Sequence, residues 1–266
     1  MNTVTSSDGT TIAFDRRGTG QPLILVGGAF QHRAIDPRTA ELAELLAADF
    51  TVYHYDRRGR GDSTDTAPYA VGREIEDLEA LAEEAGGSAF LFGMSSGAAL
   101  VLDAAAHGLA APKLAVYEPP FVVDDSRPPT PRHYSQQLAE LAAEGRRGDT
   151  VEFFLTAGVG VPAEAVAGMR QAAVWPQFEE VAHTLPYDAV LLDGTTAGAP
   201  LPARRWSSVT SAVLVADGGA SPPSMRVAAD ALAALLADAW RRTLPGQEHD
   251  VAPDVLAPVL ADFFAG

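Results

Sequence analysis

The sequence predicts an α/β fold, a mostly parallel sheet covered by helices on both faces and interrupted by a helical insertion. Three observations carry that expectation. Short apolar runs alternate with helix-period segments between Leu23 and Tyr117. The alternation lapses from Pro119 to about Arg205, where only helical segments can be read. It then resumes as strand, helix, strand and helix from Ser211 to Phe264.

The elements follow in order. Residues 3–6 and 11–14 read as a hairpin joined through Asp8-Gly9, a dipeptide that favours the primed turn. Leu23-Ile24-Leu25-Val26 is a buried strand bounded by Pro22 and by Gly27-Gly28. Leu42, Leu45 and Leu46 lie at helical spacing in 40–48. Residues 50–55 form a strand, 73–85 an acidic amphipathic helix and 89–92 a buried strand. A small-residue helix follows at 96–107, then a strand at 113–117. Pro119, Pro120, Pro128, Pro129 and Pro131 open the insertion, and Pro200 and Pro202 close it. Within it, helices are expected at 132–144, 150–157, 163–173 and 177–185. The chain ends with a strand at 211–215, a helix at 224–236, a strand at 239–244 and a helix at 253–264. The expected division is a core of residues 1–118 and 206–266, with residues 119–205 as a helical cap over the mouth of the sheet.

Composition narrows the function. With 19 Lys+Arg against 35 Asp+Glu, the net charge is −16 over 266 residues, which argues against a phosphate-backbone partner. Nucleic acid is therefore excluded as an expected partner. Residues 1–20 carry Asp8, Asp15, Arg16 and Arg17 and no apolar core, so no secretory signal is read and a cytoplasmic location is expected. No apolar run approaches the roughly 18 residues of a membrane span. The absence of cysteine removes disulfides, thiolate metal sites and a Cys nucleophile. The six histidines are scattered without ligand spacing, and the Gly-rich loops match no nucleotide motif, so neither metal nor cofactor is expected.

The strongest chemical signal is Gly93-Met94-Ser95-Ser96-Gly97 between a buried strand and a helix. Glycines at both ends permit a sharp strand-to-helix turn that thrusts Ser95 out as a nucleophile. The Ser96 N–H then points from a helix N-terminus toward a developing oxyanion. Such a serine needs an imidazole base oriented by a carboxylate. One of the six histidines must supply that base.

A second motif, Asp56-Arg57-Arg58-Gly59-Arg60-Gly61-Asp62-Ser63, reads in isolation as a Gly-rich turn with solvated charges. Together with the serine turn it fits D-x-R-G-x-G-x-S, and nearly the whole chain resembles the α/β-hydrolase superfamily. That resemblance implies eight strands, mostly parallel, with a cap inserted after the sixth, and an architectural role for the Asp56 and Arg58 loop. It also implies an oxyanion donor in Gly27-Gly28-Ala29-Phe30, where Gly27 stands in place of the usual histidine. The N–H of Ala29 is favoured, with Phe30 as the alternative donor and as a pocket wall. The resemblance further implies His249, in the loop between the last strand and the last helix, as the base, and two carboxylates compete to orient it: Glu118, directly after the sixth strand, and Asp217, in the loop after the seventh, about two residues earlier than the resemblance places it. Among the cap residues, Trp175 and His183 are candidate substrate contacts, with Tyr134, Phe153, Phe154, Phe178 and Tyr187 as further aromatics.

The implied activity is a cofactor-independent serine hydrolase acting on a small, apolar carboxylic ester or lactone. Alternatives are C–C bond hydrolysis or perhydrolase-type chemistry on the same residues, or a non-catalytic relative that holds a ligand.

Overall fold

The computed structural model describes residues 1–266. One sheet of eight strands organises the molecule, in the spatial order β1-β2-β4-β3-β5-β6-β7-β8. β1 (Asn2–Thr5) and β2 (Thr11–Arg17) form the hairpin, and β2 runs antiparallel to β4 (Phe50–Tyr55). From β4 onward every ladder is parallel, through β3 (Gln21–Val26), β5 (Phe90–Met94), β6 (Lys113–Tyr117), β7 (Ala212–Gly218) and β8 (Ala239–Leu244).

Side chains alternate across the sheet with the two-residue period of a strand. Ile24 and Val26 of β3, Leu114 and Val116 of β6, and Val213 and Val215 of β7 face one core. That core is covered by α2 (Val71–Glu84), α3 (Ser96–Ala106) and α9 (Pro223–Leu235). Leu23, Leu25, Ala115, Tyr117, Leu214 and Ala216 face the other, under α1 (Pro37–Leu46) and α10 (Pro253–Ala265). Central strands apolar on both faces require this double cover.

Between β6 and β7 lie α4 (Tyr134–Ala143), α5 (Arg147–Phe153), α6 (Ala163–Met169), α7 (Trp175–Glu180) and α8 (Leu185–Leu191). They share a small core of their own, including Leu138, Val151, Val166, Trp175 and Leu185. Here the structure departs from the sequence reading. The helix expected at 150–157 passes at Phe154 into a wider π turn that runs to Val159. The helix expected at 177–185 is three pieces: α7, a 3₁₀ turn at Ala182–Thr184, and α8. Prolines account for the restarts, since Pro176 and Pro186 occupy first-turn positions, where a missing N–H breaks no helical bond. No helix of the protein is long and apolar enough to cross a membrane.

Candidate active site

The ends of β3, β5 and β6 meet around Ser95, and the loop after β8 reaches the end of β6 through the pairing of His249 with Glu118. The turn at Ser95 is enforced by close packing. A Cβ at Gly93 would lie 2.4 Å from the Gly97 carbonyl oxygen, and one at Gly97 would lie 2.3 Å from that of Val26. Ser95 itself takes φ 55° and ψ −124°, a conformation costly for a side chain with a Cβ. Its N–H donates to the Tyr117 carbonyl at 3.0 Å, and its carbonyl accepts the Ala98 N–H at 3.0 Å. Phe30, Ser95, Glu118 and His133 are the non-glycine residues with positive φ, and the first three border this site. The Ser96 N–H belongs to the first turn of α3, where no intrahelical acceptor exists.

Glu118 leaves β6 at φ 47° and is fully buried. Its Oε1 accepts the Gly218 N–H at 2.8 Å, and its Oε2 lies 2.8 Å from Nδ1 of His249. With a carboxylate as its partner, Nδ1 is the donor, which leaves the lone pair on Nε2. The imidazole itself is half-exposed, so Nε2 has a route to a ligand.

The loop after β3 forms the facing wall. Gly28 touches Ser95 so closely that a Cβ there would sit 2.8 Å from the serine Cβ. The Gly28 N–H donates to Gln31 Oε1, whose amide Nε2 donates to Asp36 Oδ2 at 2.6 Å. The N–H groups of Ala29 and Phe30, which follow Gly28 in the chain, meet no protein acceptor. A turned-out hydroxyl, an imidazole oriented by a buried carboxylate and unpaired N–H donors together suit acyl transfer.

The alpha/beta hydrolase family profile matches residues 23–259. The chain belongs to the alpha/beta hydrolase family. An alpha/beta hydrolase from Sphaerobacter thermophilus DSM 20745 is 57% identical, with 99% of this chain and 100% of that chain aligned at a TM-score of 0.90. At 20% identity and a TM-score of 0.72, a thermophilic esterase from Thermogutta terrifontis aligns over 99% of this chain and 97% of its own. An enol-lactonase from Burkholderia xenovorans LB400 aligns over 100% of both chains, at 17% identity and a TM-score of 0.70. These two share the fold. No curated protein sequence matches.

In this hydrolase the two competing carboxylates are separated. Asp217, the alternative partner for His249, is buried and bonded elsewhere, with Oδ1 accepting from Arg241 Nη1 at 2.7 Å and from Thr243 Oγ1 at 2.7 Å. Asp217 thus lies within β7 and not in the loop after it, held by Arg241 and Thr243 of the neighbouring β8, and it makes no bond to His249. Trp175 packs among the helices of the insertion. It is 4% exposed in the insertion's core, its Nε1 donates to Glu179 Oε1 at 2.8 Å, and Arg170 stacks on its ring. His183 is exposed, with Nε2 against Gly59, where Thr184 and Asp65 also converge. Phe30 does bridge the two units. Its ring packs on Phe154 and Phe178 of the insertion, at centroid distances of 5.3 and 4.5 Å.

The structure also contains functional candidates that the sequence did not single out. The arginines of the Asp56–Ser63 loop are not solvated, since Arg57, Arg58 and Arg60 are all almost fully buried. Arg58 pairs with Asp77 and Asp8. Arg57 grips Glu74 in a fork at 2.6 Å on both sides and reaches Asp188 Oδ1 at 2.7 Å. Asp188, on α8, also accepts from Arg60 Nη2 and from Ser96 Oγ, each at 2.6 Å. Burial alone would raise the Asp188 pKa, but Arg60 and Arg57 outweigh it and hold the group below its ordinary value. The available signal was a lone acid in the apolar run Leu185–Leu191, a pattern that calls for a buried counter-charge.

Proposed function

We propose that this hydrolase cleaves a small carboxylic ester or lactone through a Ser95–His249–Glu118 triad and an acyl-enzyme. The observation that carries the reading is the 2.8 Å pairing of His249 Nδ1 with the buried Glu118 carboxylate. Ser95 Oγ attacks the substrate carbonyl carbon as His249 Nε2 takes the hydroxyl proton. The carbonyl oxygen becomes an oxyanion facing the N–H groups of Ala29 and Ser96. Collapse breaks the bond to the leaving oxygen, which receives the proton from Nε2. In a lactone that alkoxide stays tethered to the acyl group. Water, deprotonated by the same imidazole, then releases the acid and restores Ser95. No step requires a metal or cofactor.

Residues 119–205 act in this proposal as a cap that encloses the acyl group. The edge-to-face contact of Phe30 with Phe154, and the nearby Phe178, support an apolar substrate. The esterase and enol-lactonase among the fold neighbours are consistent with either bond class.

The test is labelling by a fluorophosphonate probe together with turnover of p-nitrophenyl acetate and of a simple lactone. Ser95→Ala should lose both labelling and turnover, and EDTA should change neither in the parent protein. Turnover that persists in Ser95→Ala would refute the mechanism. Labelling without hydrolysis of any ester or lactone would move the assignment to C–C bond hydrolysis or perhydrolase chemistry. An unlabelled Ser95 would favour a ligand-holding relative.

A further inference from the structure

We infer that Arg60 is a positioning residue for the oxyanion hole, orienting the peptide whose N–H the proposed mechanism aims at the substrate. The inference rests on the Ser95 reading above. Arg60 is 1% exposed, and each of its guanidinium nitrogens is engaged. Nη1 donates to the Gly28 carbonyl at 2.6 Å, Nη2 to Asp188 Oδ2 at 2.6 Å, and Nε to Thr184 Oγ1 at 3.0 Å.

The Gly28 carbonyl and the Ala29 N–H belong to a single peptide unit. A trans peptide is planar, so its C=O and N–H point in opposite directions, and holding the oxygen holds the direction of the N–H. A cation on the carbonyl also draws electron density along the amide, which strengthens that N–H as a donor. The preceding peptide is fixed through the Gly28 N–H on Gln31. Gly27 and Gly28 have no side chains with which to stiffen this loop, and Arg60 supplies the restraint from outside.

Asp188 completes the device. A buried guanidinium needs a counter-charge, and this one is delivered by α8 of the insertion. The same carboxylate accepts the Ser96 hydroxyl, next to the second proposed donor N–H. Both donors are thereby referred to one residue of the insertion, and the seating of α8 is sensed at the oxyanion site.

The experiment compares Arg60→Lys, Arg60→Gln and Asp188→Asn with Arg58→Lys, a control whose arginine is equally buried but makes no bond to Gly28. Three quantities are measured: kcat and KM for p-nitrophenyl acetate, inhibition by phenylboronic acid, whose tetrahedral adduct places an oxygen in the oxyanion site, and thermal unfolding. Arg60→Gln should lower kcat by about tenfold or more with KM within about twofold, and weaken the boronate by a similar factor. Arg60→Lys, which retains a single donor, should recover part of that loss. Arg58→Lys should lower the melting temperature without the kcat loss. An Arg60→Gln enzyme with kcat and boronate affinity within about twofold of the parent overturns the inference. If both Arg60 variants fail to fold, Asp188→Asn decides: a kcat loss at constant KM upholds it and unchanged kcat overturns it. An active Ser95→Ala would place the fault in the triad reading. A dead Ser95→Ala beside a fully active Arg60→Gln would remove only this inference.

Discussion

Tyr117 donates its phenol to the Glu248 carbonyl at 2.6 Å, so the residue before Glu118 holds the residue before His249. Glu118 and His249 are therefore joined twice, once through their own side chains and once through their chain neighbours. Tyr117→Phe removes the second link and leaves a carbonyl without its partner, a loss worth about 1 kcal/mol. The expected result is a three- to tenfold drop in kcat, about what 1 kcal/mol allows, with a smaller change in KM. Steady-state kinetics of the purified variant checks it, and an unchanged kcat would show that the His249 loop holds itself.

The two carboxylates should respond oppositely to neutralisation. Glu118→Gln keeps the Gly218 contact but loses the charge that stabilises an imidazolium, and kcat should fall by about 10⁴. Asp217→Asn should cost about 1–3 kcal/mol through the loss of charge facing Arg241 and leave kcat within about threefold. Kinetics and denaturation of both variants separate the roles, and a dead Asp217→Asn enzyme would reverse them.

Gly28→Ala tests the facing wall. The added methyl would lie 2.8 Å from the Ser95 Cβ, so either the loop or the serine must shift. Displacing one oxyanion donor should reduce kcat by about 10². Steady-state kinetics checks it, and the melting temperature should fall as well, because Ala29 and Phe30 of the same loop pack against the insertion's core.

Acid should dissolve the buried network in a defined order of pH. Burial pushes Asp188 and Glu74 upward, yet the guanidiniums of Arg60 and Arg57 at Asp188, and of Arg57 at Glu74, hold both below their ordinary values of 3.8 and 4.5. A depressed folded-state pKa adds stability that is complete above the unfolded value and is lost as pH falls through the folded one. Stability should thus fall steeply below about pH 4.5. Asp188→Asn should be about 3 kcal/mol less stable at neutral pH and lose less on acidification. Urea denaturation from pH 7 to pH 3 measures both slopes, and identical slopes would exclude Asp188 as a contributor.

Much of the fold was legible because its signals are local. Two-sided apolar strands such as Leu23–Val26, punctuated by Gly27-Gly28, need no tertiary information to be recognised. The Ser95 turn was legible for the same reason. The choice between Glu118 and Asp217 was not, since both stand near the C-terminal end of a parallel strand, and what distinguishes them is tertiary: Glu118 meets His249, whereas Asp217 meets Arg241 and Thr243 across the sheet. Arg57 and Arg60 resembled solvated charges because their partners, Glu74 and Asp188, come from distant segments of the chain. Trp175 drew attention as a large aromatic beside a proline, a description that fits a small helical core equally well.

The anchoring of α8 by two arginines has a consequence for recombination. Because binding residues concentrate on segments mounted on a rigid scaffold, exchanging the inserted segment between relatives is a direct way to change what lies over the sheet. In this chain the segment is keyed to the body through Asp188, and the lock is Arg57 and Arg60. A transplanted segment lacking an acid at that place would strand two cations in a dry interior. A viable chimera must therefore carry the loop at 56–63 along with its new lid, and the unit of exchange is discontinuous in the gene although contiguous in space.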